Sequence, residues 1–302
     1  MLFRSIAFFI ATTRTRTLTL NSIALVVSNI FFNYSLIFGH FGLPALGIAG
    51  AALGSTLAEG VSLLFFVGYC RRRVPLSRYA LNSLPPFRPA LLRKVLVVSL
   101  PVMLQNFLSL ATWFLFFVSV EHLGERYLAA TNIVRNVSAF TFMTVVALSS
   151  TASTLVSNLM GQGEAESVWP LLRRMTALGF YILTPILLLI ALFPCTVMHI
   201  FTDDASLMQT ARGALYVMLS SYLFTIPAQI LLHAVSATGN TRTGFAFECL
   251  ALTVYTVYIL VAIFGIKVSL AWCWASEHVY HIVIFVLCMV YLQGRSWRHK
   301  VI

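Results

Sequence analysis

Apolar residues in this chain gather into long runs instead of alternating with polar ones. Runs of about 20 residues or more, the length needed to cross a hydrocarbon core, can be drawn at 18–38, 43–70, 95–120, 130–160, 175–201, 207–238, 244–266 and 268–292. An apolar stub precedes them at 1–12. Strands of a membrane β-barrel would be shorter and would alternate in polarity. The pattern therefore predicts an all-α polytopic membrane protein with eight spans. Composition points the same way: hydrophobic residues make up 59% of 302 residues, charged residues 10%, and the mean hydropathy is +0.89. A soluble domain carries about 25% charged residues, and a chain this poor in charge cannot cover itself with a water-facing surface.

The net charge of +11 takes its meaning from position. The loop 71–94 holds Arg71, Arg72, Arg73, Arg78, Arg88, Arg93 and Lys94. With that loop in the cytoplasm, alternate loops on the same side bring the total there to 15 of 20 basic residues, against three on the opposite side. This is the asymmetry of the positive-inside rule, and it also puts the C-terminus in the cytoplasm. Anionic lipid contact accounts for the basic loop. No basic module interleaved with aromatics supports binding of nucleic acid.

The five cysteines lie scattered through apolar runs with no paired spacing and read as small buried apolar residues. The stub Met1–Thr12 contains Arg4 and lacks a small-residue cleavage site, so it does not fit a signal peptide. An internal repeat is more informative. Ala11, Thr12, Thr15, Arg16 and Thr17 match Ala237, Thr238, Thr241, Arg242 and Thr243 at a constant offset of 226. Each copy precedes two more spans, and the last of these carries a glutamate, Glu59 or Glu277. Duplicated bundles are a common build of secondary transporters. Three spans precede the second copy and none precedes the first. The expectation is a chain truncated at its N-terminus, lacking about 136 residues of the first bundle, the distance from position 91, where the second bundle begins, to position 227, which matches residue 1. The domains read as 1–70, the remnant of an N-terminal bundle; 71–94, a cytoplasmic linker with Pro75, Pro85, Pro86 and Pro89 as helix breakers; and 95–302, a complete six-helix bundle pseudo-symmetric with the first.

Several local motifs carry a family resemblance. Asn33–Gly39 followed by Gly42, Pro44, Leu46-Gly47-Ile48 and Gly50-Ala51-Ala52 resembles the fifth-to-sixth helix junction of the multidrug and toxic compound extrusion (MATE) transporters. Ser99-Leu100-Pro101 resembles the opening of that family's seventh helix. Leu123-Gly124, Leu128-Ala129-Ala130, Asn132 and Met160-Gly161-Gln162-Gly163 resemble its next helix, and Gly239-Asn240-Thr241 the junction after its tenth. The resemblance covers essentially the whole chain, from late in the fourth helix to the twelfth.

It implies two six-helix bundles around a central cavity, in a multi-pass and monomeric protein of the plasma (inner) membrane. It also implies export of small organic, often cationic, compounds against inward flow of protons or sodium ions, with no other cofactor. Departures bear on the coupling. Where many members carry a glutamate in the seventh helix this chain has Ser109, and the acidic residue that some carry in the tenth falls near Thr225 or Ile226. The C-terminal acidic coupling site of those members is thus expected to be absent, leaving the coupling group to the missing segment and the fragment without activity of its own.

Ionisable and amide residues inside spans are candidates because a charge costs about 2.5–3.5 kcal/mol at a helix centre. Asn132, Arg135 and Asn136 stand at i, i+3 and i+4; they line a cavity or else snorkel to the outer surface. Gln105 and Asn106, a turn beyond Pro101, mark a polar notch or an interhelical hydrogen bond. Gln229 and His233 are one turn apart beyond Pro227, and His233 is a proton carrier or a packing residue. Glu59 and Glu277 are transport residues or a structural pair at the bundle seam. Pro101 and Pro227 are the helix-hinge candidates. Glu248, six residues past Arg242, reads as lying near the interface.

Other motifs carry less. Glu277 and His281 stand one turn apart, but two groups make a poor metal site. Gly161-Gln162-Gly163 lacks the lysine and strand of a phosphate loop and reads as a turn. Trp272 and Trp274 read as interface anchors. No arrangement suggests catalysis. Besides a transporter, the pattern admits a lipid-linked oligosaccharide flippase, which a cavity dense in arginine would favour, or a non-functional remnant.

Overall fold

The computed structural model describes residues 9, 15–42, 44–73, 88–266, 268–294 and 297. The repeat residues 11–14, most of the stub and the linker's 74–87 lie outside them. Eight helices among the described residues are long and apolar enough to cross a membrane, as many as the hydropathy pattern predicts. The chain divides into two compact units, Met1–Arg88 and Pro89–Ile302.

In the first unit α1 (Thr15–Phe38) pairs with α2 (Ile48–Arg73). Helices in lipid associate through close backbone approach and interhelical hydrogen bonds, and both operate here. A Cβ on Gly50 would strike the Leu36 carbonyl, and one on Gly54 would strike Asn33. One turn-spaced pair of glycines thus seats α2 on α1. Buried Asn21 and Ser62 bond reciprocally, Asn21 Nδ2 donating to Ser62 Oγ at 2.8 Å and Ser62 Oγ to Asn21 Oδ1 at 3.0 Å. Glu59 is exposed on this pair.

The second unit holds six spans built from α3 (Pro89–Glu121), α4 (Glu125–Gln162), α5 (Val168–Leu192), α6 (Pro194–Met198), α7 (Ala205–Ala237), α8 (Thr241–Leu260), α9 (Leu270–Trp274) and α10 (Ser276–Gln293). Two boundaries differ from the sequence reading. Proline lacks an N–H but is suited to a helix's first position, so Pro89 opens α3 six residues before the expected start at 95 and breaks nothing. The run expected over 175–201 ends at Leu192, because Pro194 cannot continue α5 and starts the short α6 instead.

At its centre stands α7, with 67% of its most apolar stretch buried against 28% or less for every other span. Its start is fixed by Asp204, whose Oδ1 accepts from the backbone N–H of Ser206 at 2.8 Å and of Leu207 at 3.2 Å. Gly179 lets α5 approach α7 closely: a Cβ there would sit 2.7 Å from Ile226 Cγ2. Tyr222 ties α7 to α4, its hydroxyl donating to the Ser138 carbonyl at 3.0 Å and accepting from Thr141 Oγ1 at 2.5 Å. The tight reversal from α7 into α8 runs through Gly239 at φ +82°, conformational space that glycine enters without strain. Just beyond it, α8 begins at Thr241. Large apolar side chains away from the cavity, such as Phe114, Met143 and Tyr181, are exposed. Such a surface is at home in lipid, where no hydrophobic force drives it inward.

Candidate functional site

Five helices of the second unit, with Trp274 at the end of α9, surround a cavity of about 720 Å³. Each contributes one stripe at helical spacing. Gln105, Ser109 and Trp113 come from α3; Arg135, Ser138 and Phe142 from α4; Tyr222, Thr225, Gln229 and His233 from α7. Glu248, Leu252 and Tyr255 follow on α8, and Glu277, Tyr280 and His281 on α10. Asn106 also reaches the wall. The lining is mostly apolar and aromatic with a few convergent polar groups, the composition of a small-molecule site.

Among the polar groups Glu248 is the most enclosed, 1% exposed. Seven residues into α8, it stands about 10 Å along the helix from Thr241, within the apolar span Thr241–Ile266. Its Oε1 accepts from Tyr280 Oη at 2.8 Å and from Ser109 Oγ, so one carboxylate joins α8 to α10 and α3. Its Oε2 has no partner. Ser109 is the position where the family resemblance led us to expect a glutamate. The carboxylate at that point of the wall comes from α8 instead.

A second polar group lies beside it. Tyr255 Oη donates to Glu277 Oε1 at 3.5 Å, a long contact. An Nδ1–H of His281 donates to the Glu277 backbone carbonyl at 2.8 Å and stands 3.7 Å from Glu277 Oε2. His281 Nε2 is buried without a partner. The Tyr255 and Tyr280 rings meet edge to face at 6.1 Å, linking the two groups through aromatic packing. Neither carboxylate pairs with a lysine or arginine among the described residues. No cluster of three metal-ligating side chains occurs among them either.

The other candidates separate. Arg135 reaches the wall with its guanidinium 5.3 Å from the centre of the Phe117 ring. Asn132 turns back to the Leu128 carbonyl at 3.1 Å, and Asn136, rotated about 100° from Arg135, is exposed. Neither lines the cavity, so the expected Asn–Arg–Asn face contributes Arg135 alone. His233 Nδ1 donates to the Gln229 carbonyl at 2.9 Å. Gln105 Oε1 is buried without a partner. Pro101 and Pro227 stand inside continuous helices, where they remove the N–H that would bond the carbonyls of Val97 and Leu223. Glu59 lies in the other unit. The two tryptophans also part: Trp272 is exposed, as an interface anchor would be, whereas Trp274 is buried in the cavity wall.

Sequence comparison gives this cavity its setting. The profile of the family described as MatE matches residues 101–261, more than half of the chain and most of the six-helix unit. The chain belongs to the MATE family. A protein named probable multidrug resistance protein NorM from Thermotoga maritima is 28% identical over 216 residues, 70% of this chain and 46% of its own length. A NorM of the same description from Synechocystis is 31% identical over 213 residues, 67% of this chain and 45% of its own length. The chain spans about half the length of the curated relatives it matches. A crystal structure of the Vibrio cholerae MATE transporter VcmN matches 99% of this chain and 68% of its own with a TM-score of 0.83 at 16% identity. The eukaryotic MATE transporter AtDTX14 matches with a TM-score of 0.80 at 17% identity. The MATE fold thus extends over the described chain, and MATE proteins are transporters, not enzymes.

Proposed function

We propose that this MATE protein takes part in exporting small organic compounds, often cations, across the plasma (inner) membrane in exchange for protons or sodium ions. The observation that carries the reading is the cavity of the six-helix unit. Two carboxylates with no lysine or arginine partner among the described residues, Glu248 and Glu277, share it with Trp113, Tyr222, Trp274 and Tyr280. An organic cation gains from both, by charge attraction and by cation–π contact with desolvated rings, while apolar walls accept varied shapes. Occupation of such a carboxylate by either the coupling ion or the substrate is the physical basis of exchange. The flippase alternative draws less support, since Arg135 is the one arginine lining the cavity among the described residues. The reading needs no cofactor beyond the coupling ion and treats the protein as a monomer. The excess of basic residues in the loops 71–94 and beyond 293 supports a cytoplasmic linker and C-terminus.

The test is efflux of a fluorescent organic cation from energised vesicles carrying the protein, with proton and sodium gradients imposed separately. Export should follow one of the two gradients. Transport indifferent to both would sink the exchange mechanism.

A further inference from the structure

The two carboxylates of the cavity are not equivalent. Glu277 is partly open and leans on His281, whereas Glu248 is almost wholly enclosed and divides its two oxygens between different tasks. Oε1 is held by hydroxyls from two other helices, Ser109 on α3 and Tyr280 on α10. Oε2 is buried without a hydrogen-bond partner, in a residue of the cavity lining. Hydrogen bonds from neutral hydroxyls fix the carboxyl in place and favour its ionised form, but they bring no net counter-charge.

No basic side chain among the described residues is ion-paired with Glu248. The groups that share its surroundings are, on its own helix, Cys249 and Tyr255, and on α10 Glu277, Tyr280, His281 and Cys288. From α7 come Tyr222 and His233, with His233 bonded to backbone, and from α4 Arg135 over the Phe117 ring. The α3 wall contributes Ser109, Gln105 and Asn106, none of which titrates. A charge held at such depth needs a counter-charge, and the free oxygen is the place where one can be added.

We propose that Glu248 is the proton-carrying carboxylate of this lobe, with Ser109 and Tyr280 as its positioning residues. The inference rests on the reading of the protein as an ion-coupled exporter. In loading, an O–H bond forms at Oε2, a proton leaves cavity water, and the carboxylate becomes a neutral acid. In release the same bond breaks and the proton returns to water. Neither step disturbs the two hydrogen bonds at Oε1, so loading leaves the α3–α8–α10 contact in place. A proton suits the geometry better than a metal cation does. Hard cations need several oxygen ligands, but both nearby hydroxyls already donate to Oε1 and one free carboxylate oxygen remains.

The experiment is pH-difference infrared spectroscopy of the full 302-residue chain in lipid bilayers, with and without sodium chloride. Acidification should produce the carbonyl-stretch band of a protonated carboxylic acid, and Glu248→Gln should abolish it. Tyr280→Phe, which removes one donor to Oε1, should move that band to higher wavenumber. The isosteric Glu248→Gln should keep the wild-type melting temperature, so loss of the band reports the proton site and not unfolding. A band that survives in Glu248→Gln, or vanishes only in Glu277→Gln, overturns the assignment. Absence of any such band overturns it too, as does a band erased by sodium at constant pH, which would make the ligand a metal ion. A band that behaves as expected in a protein whose transport ignores ion gradients would leave the site standing and remove its coupling role. Gradient-driven transport with no Glu248 band would do the reverse.

Discussion

Replacing Glu248 by alanine should loosen the contact among α3, α8 and α10, and replacing it by glutamine should not. The carboxylate Oε1 is the acceptor for both Ser109 and Tyr280. Alanine leaves two hydroxyls without it, each costing about 1–3 kcal/mol when buried and unsatisfied. Two effects reduce that sum. Interhelical hydrogen bonds in membrane proteins average about 0.6 kcal/mol in double-mutant cycles, and a roomy cavity admits water to the orphaned groups. A loss of about 1–3 kcal/mol follows for Glu248→Ala. Glutamine keeps an acceptor oxygen at the same place, and its cost should stay under about 0.5 kcal/mol, the range of substitutions that break no specific contact. At about 2–4 °C per kcal/mol for a unit of this size, Glu248→Ala should melt roughly 2–12 °C low in detergent. Cys273 and Cys288, both fully buried, provide the readout with a thiol-reactive dye. A double-mutant cycle sharpens the test, because Ser109→Ala should cost less in the Glu248→Ala background than in the wild type. Equal destabilisation by alanine and glutamine would refute the reasoning, since it would mean that charge, and not the acceptor at Oε1, holds the three helices.

Gly179→Val puts a branched side chain where a Cβ alone would already be 2.7 Å from Ile226 Cγ2, and should destabilise the six-helix unit by about 1–3 kcal/mol in a thermal melt. Unchanged stability would contradict the close approach of α5 to α7. Asp204 lies outside the spans, and its hydrogen bond with Ser206, together with the N–H groups of Ser206 and Leu207, holds its pKa below the usual value. Its capping contribution is therefore full above the ordinary carboxylate pKa of about 3.9 and is lost as the pH falls through the lower folded value. Asp204→Ala should melt lower than wild type at neutral pH, with the gap closing under strong acid; a gap independent of pH would show that the carboxylate is not the cap. Exposed Cys195, beside the end of α5 that the basic-loop reading assigns to the outside, should react with a membrane-impermeant maleimide added from outside the cell, and Cys195→Ser should remove the signal. Labelling only after permeabilisation would reverse the orientation drawn from the basic loops.

The spans were legible because lipid-facing and core-facing residues of a membrane helix are alike apolar, so hydropathy marks each crossing whatever its packing. Ends were less so. Arg93 and Lys94 close the apolar window, yet α3 continues through them to Pro89, since backbone hydrogen bonding extends a helix past its hydrophobic stretch. The stripes of the cavity wall were partly legible: Glu277, Tyr280 and His281 share one face by spacing, as do Glu248, Leu252 and Tyr255. Trp272 and Trp274, two positions apart, point to different sides of their helix, and spacing alone could have separated them. What spacing cannot supply is the meeting of Ser109, Glu248 and Tyr280, which lie on three helices up to 171 positions apart in the chain. Glu248 was passed over because its depth was judged from Arg242 alone, and Ser109 was read only as a missing acid.

The central claim is that substrate and coupling ion compete for the carboxylates of this cavity. Calorimetry of organic-cation binding to the purified protein, repeated in buffers of different ionisation enthalpy, counts the protons displaced. The account predicts proton release on binding in wild type, greatly reduced in Glu248→Gln. Binding that displaces no proton at any pH, or equal release from the glutamine variant, would contradict it.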